Sequence, residues 1–109
     1  MLEPILGSVN RERVLIFILA RKEGYGREIA RFFKTDPDPI QKQLERLELG
    51  GVLMSHSAGR TRLFSFDPRY PFLDELKRLL EKALTFYPDE VRQELIMNRR
   101  RPRRSGKPS

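Results

Sequence analysis

Between Val14 and Ala20 the chain reads "VLIFILA", seven apolar positions with no polar one among them. At about 100° per residue these positions cover the whole circumference of a helix, so no side of it can be left to water. A buried strand is the rival reading. The charged flanks and a cap at Ser8 or Asn10 favour a central helix through "RERVLIFILARKE", ending at Gly24. "GYGREIARFF" gives a short second helix with Ile29, Ala30 and Phe33 inward, and "KTD" breaks it.

The third segment, "TDPDPIQKQLERLELGG", carries its own start and stop signals. Asp36 can cap a helix through its carboxylate, Pro37 suits the first helical position, and Asp38 favours the positive end of the dipole. Pro39 is tolerated in the first turn, and Gly50 and Gly51 provide a left-handed stop. Ile40, Leu44 and Leu47 form one apolar stripe, Lys42, Glu45, Arg46 and Leu49 lie opposite, and Gln41 and Gln43 sit on the flanks.

After Val52 the period changes. "VLMSHS", "AG" and "RTRLFSF" make two extended runs around a small turn, with Gly59 able to take positive φ and Arg60 and Arg62 near the tip. Asp67-Pro68 ends the second run. "YPFLDELKRLLEKALTFYP" is a long amphipathic helix, stopped at Pro88, whose apolar stripe is wider than one face needs. "DEVRQELIM" makes a last helix that runs into a basic tail. The expected organisation is a domain over 1–98 and a disordered tail over 99–109.

Composition narrows the chemistry. With 109 residues the chain fits one small domain, whose modest core a partner can extend. Cysteine is absent, which removes disulfides and thiolate chemistry, and His56 is the single histidine. No serine, cysteine or ligand constellation accompanies His56, so neither a catalytic group nor a metal or other cofactor is expected. The longest apolar run is far below the ~20 residues that span a bilayer. The expectation is a cytoplasmic protein without membrane contact.

The formal charge of +7 is mostly in the tail: residues 99–109 hold six bases and no acid, leaving sixteen bases against fifteen acids elsewhere. Within the body, residues 11–70 hold twelve bases against eight acids, whereas 71–98 hold four against six. An anionic partner would meet the first part and the tail. The tail has three readings: a nonspecific DNA-binding arm, an RNA-binding arm or a disordered soluble end.

Three helices followed by a hairpin is the order of a winged helix-turn-helix, mainly α with a β-hairpin wing. The stretch "REIARFFKTDPDPIQKQLERLELGGVL", continued by "GRTRLFSFDPRYPFLDELKRLL", resembles the ArsR-like (arsenic-repressor-like) winged-helix regulators of bacteria and archaea over roughly residues 8–87. Metal-sensing members hold their ion through cysteines, or through acid and histidine pairs on the last helix. This chain lacks both, so their effector chemistry is not carried over.

The resemblance implies a third helix in the major groove of double-stranded DNA, with Gln41, Lys42, Gln43 and Arg46 reaching base edges or phosphates. It implies wing contacts from Arg60, Thr61 and Arg62, and backbone contacts from Arg27, Arg31 and Lys34. The plainer alternative is a solvated helix face and a charged hairpin tip. The far side of the first helix (Leu15, Ile16, Leu19) and the surplus width of the long one (Leu73, Leu76, Leu80, Leu84) imply a homodimer, since the patch is otherwise too large. Two recognition helices about one DNA turn apart, ~34 Å, would then favour a palindromic operator. The leading expectation is a transcriptional regulator with no enzymatic activity. The second is a winged-helix interaction module that binds a partner protein, such as a nucleotidyltransferase or toxin-like enzyme. A basic RNA-binding protein is a weaker third, because no aromatic stacking platform accompanies the arginines.

Overall fold

Ser8 has an extended backbone, and its hydroxyl accepts from the Arg11 amide at 3.2 Å, which starts the central helix α2 (Val9–Arg21). The computed structural model describes residues 1–100, and side chains through Met97. A short helix α1 (Glu3–Leu6) precedes α2, and after it follow α3 (Gly26–Phe33), α4 (Pro37–Leu49), strands β1 (Leu53–Ala58) and β2 (Thr61–Phe66), α5 (Leu73–Leu84) and α6 (Asp89–Arg100). The expected tail thus begins inside α6, and its remainder lies outside the described residues. None of the described helices is long and apolar enough to cross a membrane.

Segment 14–20 is helical, and every residue in it is buried except Leu19, which is half-buried. Its circumference is covered by the chain's own elements: α1, α3, α4, α5, α6 and β2 all pack on α2. Ile29, Ile40, Leu44, Leu53, Phe64, Leu80 and Leu95 complete the core. Full burial of such a side chain contributes roughly 1.5–3 kcal/mol, so wrapping α2 is the main favourable term in this fold.

This wrapping corrects the expected dimer face. Leu15 is 2% exposed, and Ile16 and Leu80 are fully covered within one chain, so these three have no surface left for a second copy. Leu19, Leu73, Leu76 and Leu84 are half-buried. α5 lays Leu80 on α2, and α6 folds back on α2 and seats Leu95 in the core, so the chain's own elements take up this surface. Arg21 pins α6, donating from Nε to the Leu95 carbonyl at 3.2 Å while its guanidinium lies 4.6 Å from the Phe17 ring centre.

α2 stops earlier than expected, at Arg21, with Lys22 at φ 79°. Gly24 is needed elsewhere: it exchanges backbone hydrogen bonds with Phe64 of β2 at 3.0 and 2.8 Å, adding a bridge to the two-stranded sheet. A Cβ on Gly24 would stand 2.8 Å from the Phe17 ring, so the close approach excludes larger residues. At the end of α4 the left-handed residue is Gly51 (φ 83°) and not Gly50 (φ −82°). The hairpin pairs Ala58 with Thr61, leaving Gly59 and Arg60 as a two-residue turn with Gly59 at φ 63°. Arg60 therefore sits in the turn and not in the strand.

The N-terminus was not legible as a helix, yet it is anchored by a buried carboxylate. Glu12 is 5% exposed and accepts from the Leu2 amide at 2.7 Å, the Met1 ammonium at 3.2 Å and the Tyr87 hydroxyl at 2.6 Å. Burial alone would raise its pKa, but these hydrogen bonds outweigh it and hold the carboxyl below its ordinary value. The same contact, added to burial, pushes the Tyr87 phenol well above its ordinary value. A depressed carboxylate stabilises the fold above its unfolded pKa and loses that contribution as pH falls through the folded one. Glu12→Gln is therefore expected to be destabilised near neutrality. Its deficit against the parent, measured by urea unfolding, should shrink as pH falls from about 5 to about 3.

Candidate nucleic-acid interface

α4 is set on α2 by Ile40, Leu44 and Leu47, all buried. Its opposite stripe, Lys42, Glu45, Arg46 and Leu49, is exposed, Leu49 at 90%. Glu45 accepts from Gln41 at 3.2 Å and pairs with neither Lys42 nor Arg46, so both cations are open to an incoming ligand. At the front of the helix Asp36 occupies the cap position, but its side chain makes no capping bond. Asp36 and Asp38 are both exposed.

Gln43 corrects the expected set. It is 8% exposed, and its carbonyl oxygen accepts from Arg11 Nε at 2.9 Å. Arg11 also donates to the Leu6 carbonyl at 2.9 Å, so it joins the end of α1 to α4. Gln43 thus faces α2 and reads nothing outside the protein. Helical spacing placed it on a flank, and its partner lies 32 residues away, so no local pattern announces the bond.

The hairpin is fastened to the end of α4 by a relay. Ser55 donates to Glu48 Oε2 at 2.6 Å, and Arg62 donates to the Ser55 hydroxyl at 2.9 Å. Arg62 is therefore tethered, whereas Arg60 projects from the turn. His56 is exposed on β1 opposite Leu63.

Three separate stretches converge beside this relay. Arg27 and Arg31 of α3, Gln41 of α4, and Arg60, Thr61 and Arg62 of the wing line one groove of about 590 Å³, together with Tyr25 and Gly26. Among the described residues no carboxylate lines it. A concave wall bearing four guanidinium groups concentrates positive potential, and each planar fork can give two parallel bonds to a phosphate. Lys42, Arg46 and Lys34 lie outside the groove, Lys34 at the left-handed end of α3 (φ 56°). Tyr25 was not singled out from sequence, where it reads only as part of the second helix; it is the residue that precedes α3.

No protein-family model and no curated protein matches the sequence. Among solved structures, the chain is similar to a Lactococcus lactis ZitR mutant in apo form, with TM-score 0.54 and 24% identity over 83% of this chain and 76% of that one. It is also similar to the adhesin competence repressor AdcR from Streptococcus pyogenes, with TM-score 0.55 and 12% identity over 89% of this chain and 80% of that one. At these identities the likeness carries the fold, a winged helix-turn-helix.

The Arg11 contacts and the free α4 stripe separate on stability. Arg11→Ala leaves the Gln43 and Leu6 carbonyls unpartnered and is expected to cost about 1–3 kcal/mol in denaturant unfolding. Lys42→Ala should stay within about 0.5 kcal/mol of the parent.

Proposed function

We propose that the protein is a DNA-binding transcriptional regulator without catalytic activity. α4 lies in the major groove and presents Gln41, Lys42 and Arg46, while the arginine groove and wing hold the sugar-phosphate backbone. The observation that carries this reading is the groove itself: cations from α3 and the wing meet beside the exposed stripe of α4, with no acid in its lining among the described residues. Sharing a fold with a repressor supports it. The solved structures favour a winged-helix regulator in general and do not single out the ArsR-like family. The reading places the protein in the cytoplasm with its operator.

Base readers and backbone contacts differ in what they change. Replacing Lys42 and Arg46 with alanine should abolish preference for the protein's upstream DNA over random duplex. Arg27→Ala should weaken both equally and lower the slope of log affinity against log salt by about 1. Equal affinity of the parent for every duplex in such a titration refutes the regulator.

The reading includes a homodimer on a (pseudo)palindromic site, built on a different face from the one spacing suggested. Met1, Ile5, Val9 and Phe86 are exposed at 59%, 70%, 41% and 66%, and two apolar clefts flank Met1 and Phe86. A second copy on this face removes an apolar patch from water. Phe86→Glu is expected to turn a dimer into a monomer by light scattering at micromolar concentration, with the helical content of the chain unchanged. A monomeric parent overturns the dimer. The same patch is what favours the second reading, a module that binds a partner protein. That reading gains if the parent is monomeric and shows no DNA preference.

A further inference from the structure

The arginine groove has a capacity that base reading leaves unused. Gln41 is the one α4 residue in it, so a ligand can fill the groove without touching Lys42 or Arg46. Arg62 donates to Ser55, and the Arg31 charge acts on Glu28, but Arg27 and Arg60 hold no hydrogen bond or ion pair within the described residues. A volume of about 590 Å³ falls inside the roughly 300–1,000 Å³ common for small-molecule sites.

We propose that the groove between α3 and the wing binds the polyphosphate chain of a free nucleotide, which competes with DNA for the same guanidinium groups. Both ligands share phosphate chemistry, and charge density decides between them within the cavity. A DNA strand offers one phosphate per roughly 3.4 Å of rise, spaced by sugars. A nucleotide joins its phosphates through single bridging oxygens, so more negative charge enters the same space. The forks of Arg27 on α3 and Arg60 on the wing can then both donate to the chain. Tyr25, which also lines the groove, is an aromatic residue on which a base could stack. If the DNA-binding reading above holds, on which this one consequence rests, bound nucleotide weakens DNA binding and DNA weakens nucleotide binding by the same factor.

Calorimetric titration of the full chain with inorganic tripolyphosphate and with ATP, without DNA, tests the site. One ligand per chain is expected, with ATP the tighter of the two, and tripolyphosphate at least about tenfold tighter than orthophosphate. The double variant Arg27→Ala, Arg60→Ala should lose about tenfold or more in affinity, and Arg78→Ala on α5 should lose nothing. Arg27 and Arg60 are both exposed, so the double variant is expected to fold. Unchanged affinity in that variant, a loss that follows deletion of 101–109 instead, or no binding below the millimolar range would overturn the site. DNA preference is measured separately: tripolyphosphate binding in a chain with no operator preference keeps the site and refutes the regulator. An operator complex indifferent to saturating tripolyphosphate overturns the competition.

Discussion

A helix that is apolar on every side has to be enclosed, and the enclosure of α2 organises the rest of this molecule. Six elements pack on it. Each gives up one face to do so, which decides which face it has left for solvent or for a ligand. α4 turns Ile40, Leu44 and Leu47 inward and is thereby obliged to present Lys42, Glu45 and Arg46. β2 reaches the core through Phe64, whose backbone also holds Gly24, and this draws the wing toward the start of α3. The position of the arginine groove is a by-product of covering one helix.

Charged residues divide accordingly into two populations. Arg11, Glu12 and Arg21, all on α2, are satisfied inside the chain: Arg11 by Leu6 and Gln43, Glu12 by Tyr87 and the N-terminus, Arg21 by α6 and two aromatic rings. They fix where the surrounding helices sit. Removing one leaves a buried polar group without a partner, so their energetic effect is on the fold. Arg27, Arg60, Lys42 and Arg46 lie outward and cost little to keep there. Their charge is available for association.

The sequence made the order of elements readable because helix, turn and hairpin each carry local signals: Ser8 before α2, the Pro-rich start of α4, Gly59 at the turn. It also marked which side of α4 faces out. What escaped it was long-range. Gln43 looked like a reader because its partner, Arg11, is far away in sequence. Leu15, Ile16 and Leu80 looked like a dimer face because no local pattern shows which elements close around α2. Gly24 looked like a helix stop, though its place is fixed by pairing with Phe64. The groove needed three dimensions, since its arginines come from segments about thirty residues apart in sequence.

The tight turn at the end of the wing sets a length. Each strand has six residues and the loop between them two, with the base of the hairpin locked to α4 through Ser55 and Glu48. Such a rod does not slide, and at roughly 3.4 Å per residue its span is fixed near 20 Å. Inserting one residue pair per strand would advance the tip by about 7 Å and swing it with the twist of the sheet. Wing length is therefore a ruler, and related chains with longer or shorter hairpins would measure a different distance between the cation at the tip and those on α3.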